Sequence, residues 1–196
     1  MDIFILSHIH LDHSADINTM IESAKVGSKE KNKEIAIGAP EDAFHGSSKV
    51  LLDFILKKTE KQFIFKEDSS YIWKDIKIDV LRKHTHHGAI TYGLVFNEKI
   101  AYHPCAKFEP DIVKHYPKNI DLLILNTTFY RKRENIDHLC KDDVIEILNI
   151  VKPKRAIITH FALDMLEAGP ENVAKEIEEK TYIQTMAAFD GAKILL

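Results

Sequence analysis

The chain has 196 residues and a formal net charge of −3, which is long enough for one domain with a sizeable core. Apolar residues make up 45% and charged residues 29%, which is ordinary for a globular protein and provides no general attraction to nucleic acid. Cys105 and Cys140 form no disulfide framework, and the sequence shows neither a signal peptide nor a membrane-length apolar run. We therefore expect one domain over residues 1–196 in a reducing cytoplasm, with no membrane partner.

Strands and helices are predicted in alternation along the chain. Short apolar or alternating runs predict strands at residues 3–6, 35–37, 62–65, 71–73, 76–82, 91–96, 100–103, 122–125, 156–159 and 187–196. Apolar residues at helical spacing predict helices over 15–24, 50–55, 111–115, 144–151 and 170–177. Ser47 and Ser48 are expected to cap the second helix, 25–34 to form a charged loop and Asn97-Glu98 a hairpin turn.

The order of these elements predicts the fold class. Strands cluster in the middle of the chain with helices between and after them. This indicates an α+β fold in which two sheets pack face to face with helices outside, an αββα sandwich. A doubly wound parallel sheet is the alternative.

A dense group of candidate metal ligands follows the first predicted strand. The run Ser7-His8-Ile9-His10-Leu11-Asp12-His13 holds four of them within six residues. In extended backbone, residues two apart point the same way, so His8 and His10 can bind one ion while Asp12 and His13 reach a second. Imidazole and carboxylate suit zinc, or with less preference iron or manganese. Four such side chains packed together predict a metal site, because a core has no other use for them.

The order of the motifs resembles that of the metallo-β-lactamase-fold hydrolases, in particular their phosphodiesterase and transfer-RNA 3′-processing branch. The resemblance covers essentially the whole chain from residue 3 and rests on the His-x-His-x-Asp-His loop, a lone His, a bridging position and a final His160 after a strand. It implies two ions. His8, His10 and a third histidine would hold one of them, and Asp12, His13 and His160 the other.

The third histidine must be chosen among His84, His86 and His87. The resembled branch tends to have a histidine, five residues, and then a glycine beside an aromatic residue. Counting back from Gly93, which follows Tyr92, selects His87, with His86 as the alternative.

Cys105 stands where the family usually has a bridging aspartate. The family motif Tyr-Ser-Gly-Asp is replaced here by Tyr102-His103-Pro104-Cys105. By resemblance to the true metallo-β-lactamases, Cys105 would bind mainly the second ion, and its soft sulfur favours zinc over iron or manganese. The alternatives are that His103 is the ligand or that the second ion is absent.

Only six residues precede Ser7, whereas related chains have several strands there. We therefore expect part of the first sheet, its usual N-terminal strands, to be missing from this sequence. Three explanations stay open: a naturally short chain, a partner subunit that covers the open edge, or a true start further upstream. An open sheet edge promotes association, so a homo-oligomer is expected.

These features predict a dinuclear zinc hydrolase that acts on phosphodiester bonds of a small nucleotide or an RNA-type substrate, although the charge does not indicate nucleic acid. Asp12 is both ligand and hydrogen-bond acceptor for the attacking water. The stretch Asn126-Thr127-Thr128-Phe129 followed by His138 resembles the transfer-RNA-processing enzymes, in which such a histidine helps to protonate the leaving group. A thioester or lactone hydrolase, or a metal-binding domain without catalysis, are the alternatives.

Overall fold

The computed structural model describes residues 3–27 and 33–194, and its first sheet is small and parallel. The apolar run before the histidine motif forms an edge strand of this sheet, and the next two strands lie beside it in chain order. The strands are β1 (Ile3–Ile5), β2 (Ala36–Pro40) and β3 (Lys61–Phe65). The helices of this half are α1 (Leu11–Ser14), α2 (Ile17–Val26), α3 (Glu41–Phe44) and α4 (Asp53–Leu56).

The second sheet is larger and mixed. Its strands are β4 (Ser69–Trp73), β5 (Ile76–His84), β6 (Thr91–Phe96), β7 (Ile100–His103), β8 (Leu122–Phe129), β9 (Leu139–Cys140), β10 (Arg155–Thr159) and β11 (Gln184–Ala187). They lie in the order β11-β10-β8-β7-β6-β5-β4, and β9 pairs with the end of β8. The helices of this half are α5 (Pro110–Val113), α6 (Lys141–Val151), α7 (Leu163–Ala168) and α8 (Pro170–Thr181).

The two sheets pack against each other and each carries helices on its other face. Alternate residues of a strand point to opposite faces, so Phe63 and Phe65 of β3 pack against Ile78 and Val80 of β5 between the sheets. The outer face of the first sheet is covered by α2, α3 and α4, and that of the second by α5 to α8. The αββα sandwich is thereby confirmed. No helix in the described part of the chain is long and apolar enough to cross a bilayer.

The strand directions bring distant parts of the sequence to one edge of the second sheet. Strands β7, β8, β10 and β11 are parallel, and β5 runs in the same direction because β6 is antiparallel to both β5 and β7. The carboxyl ends of β5, β7, β8 and β10 therefore lie together. The candidate residues His86, Cys105, Thr128 and His160 directly follow or occupy those ends.

Several predicted elements differ from the observed ones. The final strand is Gln184–Ala187 rather than 187–196, because its pairing with β10 runs only from Gln184 to Ala187. Residues 195–196 lie outside the described part. The helix expected at 50–55 is only Asp53–Leu56, so Ser47 and Ser48 cap nothing. Of the predicted loop 25–34, residues 25 and 26 end α2 and residues 28–32 lie outside the described part.

The packing between the sheets predicts a difference between two isoleucines on paired strands. Ile78 is fully buried between the sheets, whereas Ile72 on β4 is 69% exposed. We expect Ile78→Ala to lower the free energy of unfolding by about 2–5 kcal/mol, because it leaves a cavity in the core. The matched control Ile72→Ala should lose less than about 1 kcal/mol. Urea denaturation measures both, and equal losses would contradict this packing.

Candidate metal centre

The loop after β1 places its donors in two directions because it turns into a helix. Extended backbone ends at His10, which precedes the first turn of α1, so Asp12 and His13 project from that turn. The Ser14 hydroxyl donates to the Ile9 carbonyl over 2.9 Å and fixes the turn. One segment thus contributes to two donor groups.

The first donor group contains His8, His10 and His86, whose ligand atoms all lie within 4.8 Å of one another. Nε2 of His8 and Nε2 of His86 are buried and make no hydrogen bond within the described part of the chain. Burial, reinforced by the neighbouring histidines, lowers the pKa of His8 to about 2, and burial lowers that of His86 to about 4. Both are therefore neutral imidazoles at neutral pH, which is the form that binds metal.

The structure brings His86, and not the predicted His87, to His8 and His10. His87 adopts a left-handed conformation at φ 39°, which turns its side chain outward. Its backbone N–H donates to Asp137 Oδ2 over 2.8 Å. The count back from Gly93 rested on a motif of the resembled branch and took no account of the turn after β5, and this accounts for the difference.

The other histidine of this stretch, His84, faces away from the donor groups. It is buried, and its Nε2 lies 2.9 Å from the hydroxyl of Tyr116. Its ring packs against that of His103, with 4.5 Å between the centroids. His84 therefore packs with Tyr116 and His103 and belongs to none of the donor groups found among the described residues.

The second donor group contains Asp12, His13 and His160. The two Nε2 atoms of His13 and His160 are 3.0 Å apart, and each lies 3.2 Å from Asp12 Oδ2. Burial opposes ionisation of Asp12, but His13 and the hydrogen bond from His160 outweigh it and lower the pKa of the carboxyl. Three donor atoms so close together suit one small cation, whose ligand distances of about 2.0–2.2 Å give similar separations between donors.

Cys105 lies between the two groups. Its Sγ is 3.5 Å from His13 Nε2 and forms a further donor group with His8 and His13. The Asn126 amide donates to Sγ over 3.1 Å. Burial raises the pKa of the thiol to about 12, so the thiolate needs a bound cation to stabilise it. His103, the alternative ligand, belongs to none of the donor groups found among the described residues.

His138 borders both groups without belonging to the loop motif. One of its ring nitrogens lies within 4.8 Å of ligand atoms of His86 and His87, and one within the same distance of those of Cys105 and His160. Nδ1 of His138 is 2.9 Å from the Thr128 hydroxyl. Burial, reinforced by the surrounding histidines, lowers the pKa of His138 to about 4.

The residues present fit divalent metal ions. Unpartnered buried imidazole nitrogens, a carboxylate and a thiol converge where hydrogen bonding within the protein cannot satisfy them all. Nitrogen, oxygen and sulfur donors of this kind are the ligands zinc prefers. His8, His10 and His86 would hold one ion, and Asp12, His13 and His160 with Cys105 the other.

Comparison with known proteins identifies the family. The family described as the beta-lactamase superfamily domain matches residues 1–161, and the chain belongs to it. A protein of Methanocaldococcus jannaschii described as uncharacterized is 24% identical over 97% of this chain and 73% of its own length.

Solved structures show the same fold. The metallo-β-lactamase fold protein YhfI from Bacillus subtilis superposes with a TM-score of 0.77 at 20% identity, over 98% of this chain and 76% of that one. A diphosphatase from the PhnP family gives 0.68 at 18% identity, over 100% of this chain and 72% of that one. The chain is therefore a metallo-β-lactamase-fold protein, of a family of metal-dependent hydrolytic enzymes.

Two residues orient the candidate ligands in ways that the sequence did not indicate, although Asn126 belongs to a stretch already named for its resemblance. The Asp137 carbonyl accepts from Nδ1 of His86 over 2.9 Å, which leaves Nε2 free for a ligand role. Asn126 donates to both Cys105 Sγ and the Tyr102 hydroxyl. Asp137 directly precedes His138, but its role depends on a carbonyl and therefore has no side-chain signal.

The position of Cys105 predicts a specific change in metal content. We expect two ions per chain after zinc loading and desalting, and about one ion in Cys105→Ala, because the second group loses its thiolate. Cys140→Ala is the matched control, since Cys140 is equally buried but lies in no donor group among the described residues. Elemental analysis measures the content. Two ions in Cys105→Ala would show that the thiol is not a ligand.

Proposed function

We propose that this protein is a dinuclear metal-dependent hydrolase, zinc-dependent by its donor set, that cleaves phosphodiester bonds of a small nucleotide or RNA-type substrate. The observation that carries the proposal is the pair of adjacent donor groups with His138 beside both. When bound, two divalent ions activate a water and neutralise charge on a phosphate oxygen. The free cysteines suit a reducing cytoplasm.

The chain's own residues supply the remaining chemistry. Asp12 is 63% exposed and points an ionised carboxylate into the site, where it accepts a hydrogen bond from the attacking water and orients it. His138 borders both donor groups and provides an N–H group for the leaving oxygen, where charge develops.

A guanidinium beside His138 favours an anionic substrate. Arg133 lies over the ring of Phe129, with 4.2 Å between the guanidinium carbon and the ring centroid. The ring of Phe129 lies 5.9 Å from that of His138. Arg133 is half exposed, and its ion pair with Asp164 is long at 3.5 Å, so it is available to a phosphate group.

A thioester or lactone hydrolase is the second candidate, and two exposed leucines favour it. Leu11 lies between the donors His10 and Asp12 and is 78% exposed, and Leu163 follows His160 closely and is 76% exposed. Apolar side chains at the mouth of a site suit an acyl group better than a charged sugar phosphate. A glutathione thioester is the probe for this activity.

The phosphodiesterase proposal predicts chelator-sensitive hydrolysis of bis(para-nitrophenyl) phosphate by the zinc-loaded protein. His10→Ala should abolish this hydrolysis because it removes a ligand of the first ion. His138→Gln should lower kcat by roughly 10²–10⁴-fold on a phosphodiester with a basic leaving group, the usual contribution of a positioned acid–base side chain. Its effect on the para-nitrophenyl ester should be smaller, because para-nitrophenolate needs little stabilisation as it leaves. The exposed histidine His115→Gln is the matched control and should retain full activity. Cleavage of the thioester alone would favour the second candidate, and no turnover of either would indicate a metal-binding domain without catalysis.

A further inference from the structure

The hydroxyl of Thr128 connects a candidate ligand to the candidate catalytic histidine. Thr128 is buried near the end of β8. Its Oγ1 lies 2.9 Å from His138 Nδ1 and 3.1 Å from His160 Nδ1. The neighbouring Thr127 is also buried, but its hydroxyl donates to the Leu125 carbonyl inside the same strand. Of these two adjacent threonines, Thr128 alone contacts the site.

With a cation bound in the second donor group, one assignment of the hydrogen atoms satisfies all of these contacts. Nε2 of His160 faces Asp12 and His13 in the second donor group, so as a ligand it carries no proton and Nδ1 must carry it. His160 Nδ1–H then donates to the Thr128 oxygen. A hydroxyl has a single proton, and the remaining contact of Thr128 is His138 Nδ1, so that proton is donated to His138.

We propose that Thr128 is a positioning residue that fixes His138 as the tautomer with its proton on Nε2. This inference rests on the proposed function, and it extends that function from the ligands to the orientation of a proton. Nε2 of His138 makes no hydrogen bond within the described residues, so its N–H is free to donate a hydrogen bond to the leaving oxygen of a phosphodiester. The neutral imidazole keeps its proton and stabilises the charge that develops on that oxygen. Binding of an ion by His160 is thereby coupled, through the Thr128 hydroxyl, to the tautomer of His138.

The ring contacts of His138 show why a tautomer needs to be imposed. His138 stacks near His160 and lies edge-on to His86, with centroid distances of 5.7 and 4.9 Å. These contacts hold the ring in place but do not distinguish Nδ1–H from Nε2–H. Of the described hydrogen bonds, the one to Thr128 is what differentiates the two nitrogens of His138.

The experiment compares Thr128→Val, Thr128→Ser and Thr127→Val in the full zinc-loaded chain. Valine keeps the shape of threonine without the hydroxyl, and serine keeps the hydroxyl. Long-range ¹H–¹⁵N spectra of the histidine rings report which nitrogen carries the proton, and the spectrum of His138→Gln assigns the His138 signals. Zinc content is measured on every variant.

We expect wild type, Thr128→Ser and Thr127→Val to show His138 with protonated Nε2 and unprotonated Nδ1. Thr128→Val should bind the same amount of zinc but show the two His138 nitrogens averaged between tautomers. An unchanged tautomer in Thr128→Val would overturn the proposal. Loss of zinc in Thr128→Val would also overturn it, because Thr128 would then serve the ligand His160 and not His138.

Kinetics provide the second readout. On aryl phosphodiesters, Thr128→Val should lower kcat by roughly 10- to 100-fold with little change in KM, as is usual for loss of an outer hydrogen-bond partner. The loss should grow as the leaving group becomes more basic, and Thr128→Ser should restore the rate. Equal losses for all leaving groups would contradict donation to the leaving oxygen. If wild type cleaves no phosphodiester, the proposed function fails, while the tautomer measurement still decides the role of Thr128.

Discussion

The site depends on several neutral imidazole rings that are buried side by side. Some of their ring nitrogens have no hydrogen-bond partner in the described part of the protein. A buried polar atom without a partner is unfavourable by about 1–3 kcal/mol, and His8 and His86 each carry one. Protonation offers no relief, because burial and the neighbouring histidines lower the pKa of both rings. A divalent cation satisfies these lone pairs together, so the arrangement is best understood as a metal centre of the family to which the chain belongs.

Polar groups that contact the candidate ligands from outside the donor groups orient the ligand side chains. The Asp137 carbonyl orients His86, the Asn126 amide orients the Cys105 thiol, and the Thr128 hydroxyl contacts His160. The partners of His86 and His160 occupy Nδ1 and so leave Nε2 for an ion, whereas Asn126 donates to the same sulfur that would bind the ion. The parallel strands of the second sheet bring these partners together, because their carboxyl ends meet at one edge. The fold and the chemistry are connected at that edge.

The layered fold and most of the candidate ligands could be predicted from the sequence, because they depend on local patterns. The spacing of the His-x-His-x-Asp-His loop indicates its donor residues, and alternating or continuous apolar runs indicate the strands. The choice between His86 and His87 could not be predicted from the sequence, since it depends on the left-handed conformation of His87 in a turn. The short helix at Asp53–Leu56 and the early end of β11 were misjudged for a similar reason, because apolar spacing does not fix where backbone hydrogen bonding stops. The role of Thr128 depends on a contact with His160, 32 residues away in the sequence.

The most direct test of this account is a crystal structure of the zinc-loaded protein with anomalous scattering recorded at the zinc edge. Two neighbouring anomalous peaks are expected. One should be enclosed by His8, His10 and His86, and the other by Asp12, His13 and His160 with Cys105 as a further ligand. A single peak, or a peak coordinated by His87 in place of His86, would contradict it.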